Sequence, residues 1–116
     1  MARRGGFAGG GRGGMNMQSM FRQAQEMQKK MEDAQERIEA AEVEATAGGG
    51  VIRVTATGSG KITDIEIKPD VVDPDDVEML QDLVIAAVNE ALTRANEVRE
   101  TEMAQATGGM NLGGLL

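Results

Sequence analysis

The side chains in this chain that could do chemistry are cations. Arg22, Lys29, Lys30 and Arg37 recur within one glycine-free stretch, and Arg3, Arg4 and Arg12 stand in a glycine-rich stretch before it. Such groups meet phosphate. Groups for bond-making chemistry are missing by type, since there is no cysteine and no histidine. That removes disulfides, thiol nucleophiles, imidazole acid–base catalysis and the usual zinc sites. Thr57-Gly58-Ser59-Gly60-Lys61 has the composition of a phosphate loop. That motif needs Gly five residues before its last Gly and a hydroxyl after the Lys, where this chain has Thr55 and Ile62. It reads as a hairpin turn. Asp70, Asp73, Asp75, Asp76 and Glu78 lack the central Gly and alternating spacing of a calcium loop, and helix capping explains them. No carboxylate pair is placed in an expected pocket, so an enzyme is not expected.

The cations need an element to carry them. Met17, Met20, Ala24, Met27, Met31, Ala34, Ile38 and Ala41 recur at alternating steps of three and four, the seam of a coiled-coil-like helix. With this seam at positions a and d, Arg22 and Lys29 fall at f, opposite it, and Lys30 and Arg37 fall at g. A helix from between Asn16 and Ser19 to about Ala41 is roughly 40 Å long at about 1.5 Å per residue. It outreaches the strands that follow it. The Met/Ala stripe needs a partner, either a second chain or this chain's second helix.

Charge is unevenly divided along the 116 residues. Residues 1–31 are net +5 and residues 32–116 net −12, giving −7 overall. A basic arm can meet phosphate while the acidic body stays away, because contacts act over about a Debye length. Phe7 and Phe21 are the only aromatics, so the core must be built from Val, Ile, Leu, Met and Ala. That is a thin core for a monomer, and it favours association. Residues 1–14 hold seven glycines and no apolar run, and read as a flexible Arg/Gly arm and not as a signal peptide. The longest apolar run, Leu83 to Val88, is too short to span a bilayer.

Three strands, Glu42 to Ala47, Val51 to Thr57 and Lys61 to Lys68, are separated by Gly48-Gly49-Gly50 and Gly58-Ser59-Gly60, which predicts an antiparallel meander. Ile52, Val54 and Ala56 share one face of the middle strand; Ile65 and Ile67 share a buried face of the third. Ile62 is out of phase with them and is expected at the turn or in an interface. Asp73 is expected to cap a second helix with Pro74 at its first position. That helix presents Leu80, Leu83, Val84, Ala87, Val88, Ala91, Leu92, Ala95 and Val98 to the sheet and fades near Ala104. The fold class is α+β: a long N-terminal helix, a three-stranded meander and a C-terminal helix. The domain is placed at residues 15–105, with a tail over 106–116.

These features resemble the YbaB/EbfC nucleoid-associated proteins of bacteria. The resemblance runs from about Met15 to Met103. It rests on Met20 to Met31 (MFRQAQEMQKKM), the Gly48 to Val54 entry into a strand, Ile65 to Asp70 (IEIKPD) and Glu78 to Ala91 (EMLQDLVIAAVNEA). It implies a tweezer-like homodimer that binds duplex DNA in the cytoplasmic nucleoid, with no catalysis and no cofactor. The basic residues of the first string map onto Arg22, Lys29 and Lys30, while Arg37, Arg3, Arg4 and Arg12 rest on the charge argument. Met20, Ala24, Met27, Met31, Ala34 and Ile38 form the dimer or helix seam. Two rivals share the same residues. One is a prefoldin-like holdase gripping clients with its methionines; the other is a dimeric adaptor for a DNA repair or replication partner.

Overall fold

The computed structural model describes residues 2–108, with side chains described for residues 16–108. Helix α1 (Ala2–Ala40) leads into strands β1 (Glu42–Ala47), β2 (Ile52–Thr57) and β3 (Ile62–Ile67). A 3-10 turn at Pro69–Val71 then precedes helix α2 (Val77–Ala106). From Asn16 to Ala40, α1 is rich in Met, Gln, Glu, Ala and Lys, with Ile38 its one β-branched residue, a composition that favours helix throughout. It begins earlier than the expected Asn16 to Ser19, and no proline, the residue that would interrupt it, lies in its span. The arm expected over residues 1–14 lies outside the residues whose side chains are described. Of the tail expected over 106–116, residues 109–116 lie outside the described set.

The strands form one antiparallel sheet in the order β1-β2-β3. Gly48 and Gly60, at φ of 63° and 89°, adopt the left-handed conformation that the two turns need. β2 alternates as expected, with Ile52, Val54 and Ala56 fully buried. Helix α2 lies over β1 and β2. Ala87, Ala91 and Ala95 recur every fourth residue and are at most 1% exposed, so small side chains bring the helix close to the strands. Leu80, Leu83, Val84 and Val88 pack around this cluster. Leu92, expected in the stripe, is instead exposed, because it sits on the flank of α2 beyond the sheet contact.

Three expectations change. Ile62 pairs with Ala56, whereas Asp64 pairs with Thr55, so Thr63 is an extra residue in β3. This bulge returns Ile62, the first residue of β3 after the turn, to the face of Ile65 and Ile67, where it packs against the core. Ile65 and Ile67 stand opposite Val54 and Ile52 but remain 41% and 39% exposed, because α2 covers the other two strands. At the start of α2, the Asp73 carboxylate accepts from the Asp75 amide at 2.9 Å, closing a local turn. The cap passes to Asp76, which accepts from the Met79 amide at 3.2 Å, and Pro74 lies ahead of the helix.

Candidate functional site

The seam of α1 divides in two. Ala34 and Ile38 are fully buried where α1 packs on α2 of the same chain. Gly58, in the turn after β2, lets the end of α1 lie against that turn: a Cβ there would lie 2.5 Å from the Ile38 carbonyl oxygen, and its amide donates to the Ala41 carbonyl at 3.0 Å. Towards the other end Met27 is half-buried, Met31 and Ala24 are exposed, and Met17 and Met20 are 57% and 64% exposed. Ala24, Met27 and Met31 line a groove of about 510 Å³ with Met103 of α2, while Met17, Met20 and Phe21 line a smaller one of about 260 Å³ that shares Ala24.

Arg22, Lys29 and Lys30 are exposed on α1 and form no ion pair among the described residues. Arg22 and Lys29 are two turns apart, about 10 Å along the axis. Glu26 is the only acid between Asn16 and Met31. Arg37 differs from these three: its Nε donates to Glu102 of α2 at 2.7 Å, so its charge is already partly matched. The side chains of Arg3, Arg4 and Arg12 lie outside the described residues. Gln18, Ser19 and Gln25, which the charge argument passed over, share the outer face with Arg22 and Lys29. Their positions b and c of the heptad were the available signal. Neutral donors of this kind also contact phosphate and sugar oxygens.

The body has the opposite polarity. The solvent face of the sheet carries Glu42, Glu44, Asp64 and Glu66, with Arg53 between Glu44 and Glu66 at 3.4 and 3.5 Å. The sheet face is therefore net negative, in contrast to the acid-poor outer face of α1.

A second surface was not foreseen. Arg94 donates to the Glu44 carbonyl of β1, which places the opposite flank of α2, with Ile85 and Leu92, on the side of β3. Ile65, Ile67, Ile85 and Leu92 therefore border one apolar face that this chain leaves open. No group of acids that could hold a metal ion occurs among the described residues, and no helix among them is long and apolar enough to cross a membrane.

Residues 13–110 match the YbaB/EbfC DNA-binding family. A nucleoid-associated protein of Ruminiclostridium cellulolyticum is 58% identical over 112 residues, covering 97% of this chain and 95% of the relative. One from Clostridium acetobutylicum is 54% identical over 112 residues, covering 97% and 98%. The crystal structure of an uncharacterized protein from Helicobacter pylori has the same fold, at a TM-score of 0.56 and 24% identity, over 65% of this chain and 87% of that one.

Proposed function

Because the chain belongs to the YbaB/EbfC DNA-binding family, we propose that it binds duplex DNA in the bacterial nucleoid as a homodimer, laying α1 along the phosphate backbone. That family is one of DNA-binding proteins, not of enzymes. The observation that carries the proposal is the exposed, acid-poor outer face of α1, where Arg22, Lys29 and Lys30 stand without partners among the described residues, above a body whose sheet face is acidic. Arg37 contributes less, being engaged by Glu102. Arg3, Arg4 and Arg12 add phosphate contacts from the same end of the chain.

Phosphate contacts position a protein on DNA without reading its sequence. The binding mode is therefore weakly sequence-selective, with preference arising from groove shape and bending. Its role is in nucleoid organisation or gene expression. The homodimer forms across the open face bordered by Ile65, Ile67, Ile85 and Leu92 and presents two arms. Titration of labelled duplex DNA with the intact protein and with Arg22→Ala/Lys29→Ala/Lys30→Ala tests the reading. Equal binding by a folded triple variant would remove α1 as the DNA surface.

A further inference from the structure

Phe21 is one of two aromatic residues in the chain, and it is 65% exposed. With Met17, Met20 and Ala24 it lines the smaller groove of α1, to which no described residue of α2 contributes. It stands about 25 Å along α1 from buried Ile38, at about 1.5 Å per residue. Around the helix it marks the border between two faces. At about 100° per residue, Met17 and Ala24 lie roughly 40–60° to one side of it; Gln25 and Gln18 lie roughly 40–60° to the other, and Lys29 and Arg22 follow at about 80–100°. Glu26, the only acid between Asn16 and Met31, is turned about 140° away. Bare apolar surface and unpaired cations therefore adjoin at this residue.

We infer that Phe21, flanked by Met17 and Met20, is an apolar wedge that enters the minor groove of duplex DNA and opens a base step. The inference rests on the duplex-binding reading above and assigns it a mode. Proteins that bend DNA from the minor groove hold the flanking phosphates with cations and push Phe, Leu or Met side chains between bases, kinking the duplex by about 20–90°. Arg22 and Lys29 supply the first part here and Phe21 the second. The wedge also gives the weak sequence preference a physical source, because pyrimidine–purine steps such as TA unstack more easily than the stiff steps of an A-tract.

A second copy of α1 is the competing occupant of the patch, and the flanks of the seam disfavour it. Helices that pair through such a seam draw orientation and specificity from opposite charges at positions e and g. Around the patch those positions hold Phe21, Gln23, Gln28 and Lys30, with no acid to meet Lys30. Phosphates on either side of a groove complement the same cations directly.

The test uses the full chain and two duplexes, one with a central TA step and one with a central A-tract, each carrying a fluorescent aminopurine at the centre and a donor–acceptor pair at its ends. The intact protein is expected to raise aminopurine fluorescence and shorten the end-to-end distance on the TA duplex, and to do so less on the A-tract. Phe21→Ala should abolish both signals and weaken binding to the TA duplex by about tenfold, as loss of an aromatic–base stack does. Its salt slope should match that of the intact protein, since no phosphate contact is lost. Phe21→Leu, still an apolar wedge, should keep most of the bend. Circular dichroism is expected to show both variants folded, because Phe21 is exposed. Equal bending by the intact protein and Phe21→Ala, or duplex binding without a rise in aminopurine fluorescence, would overturn the wedge and leave phosphate binding by Arg22, Lys29 and Lys30 standing. Growth of the protein into larger species that Phe21→Ala reverses in sedimentation would overturn it in favour of a second copy. Absence of duplex binding by the intact protein at low salt would overturn the wedge and the duplex-binding reading together.

Discussion

The Nε of Arg37 meets Oε1 of Glu102 at 2.7 Å, joining α1 to α2 across 65 residues of sequence. The two side chains are 52% and 23% exposed, so solvent screens the pair. A double-mutant cycle with Arg37→Ala and Glu102→Ala is expected to give a coupling of about 0.2–1 kcal/mol in urea unfolding. Additive effects would show that the pair contributes nothing to holding the helices together.

The same pairing ranks the cations for DNA binding. About four to eight phosphates neutralised per dimer predict a log–log salt slope of roughly −4 to −7. Between about 50 and 200 mM salt, Arg22→Ala/Lys29→Ala/Lys30→Ala should flatten that slope markedly, while Arg37→Ala alone changes it by less than one unit. Anisotropy titrations read both, with circular dichroism confirming that the helices persist. A wild-type slope near zero would exclude the electrostatic mode.

Among the described residues two apolar surfaces stay open, and association is expected to depend on one of them. Ile65→Lys with Ile67→Lys is expected to convert the dimer to a monomer in sedimentation, because each charge would be forced into the buried face. Met17→Ser with Met20→Ser should leave the dimer intact. The reverse result would move the interface to the arms.

Two glycines should answer differently to alanine. A Cβ on Gly58 would meet the Ile38 carbonyl oxygen at 2.5 Å, backbone against backbone, whereas one on Gly49 meets nothing within 4 Å. Gly58→Ala should destabilise by about 1–3 kcal/mol through overpacking. Gly49→Ala, at φ of 73°, pays only the cost of a left-handed conformation, about 1–2 kcal/mol. Thermal melts should show the larger loss at Gly58, with loosening of α1 from α2.

The element order and the strand bounds were legible in the sequence because the glycine clusters at 48–50 and 58–60 punctuate alternating runs. The burial of Ile52, Val54 and Ala56 followed from the same alternation. Periodicity was silent on which strands α2 would cover, and so the exposure of Ile65 and Ile67 could not be read. Nor could the division of the α1 seam, since steps of three and four look alike whether the partner is buried against them or absent. Asp73 and Asp76 are chemically equal caps, and only the local turn at Asp75 separates them. The cations were visible as charges, but the engagement of Arg37 depended on a residue in the other helix, beyond any local pattern.

Thr63 guards the rim of the sheet. Without it, β3 would read Ile-Asp-Ile-Glu-Ile, an unbroken alternation, and the edge would run straight. With it, the strand bends, and the Thr63 hydroxyl donates to the Thr55 carbonyl at 3.3 Å. A straight, isoleucine-rich border is a template onto which neighbouring molecules add strands without limit. Deletion of Thr63 would straighten that border, and strand-by-strand association is then expected as turbidity and thioflavin fluorescence in concentrated solution.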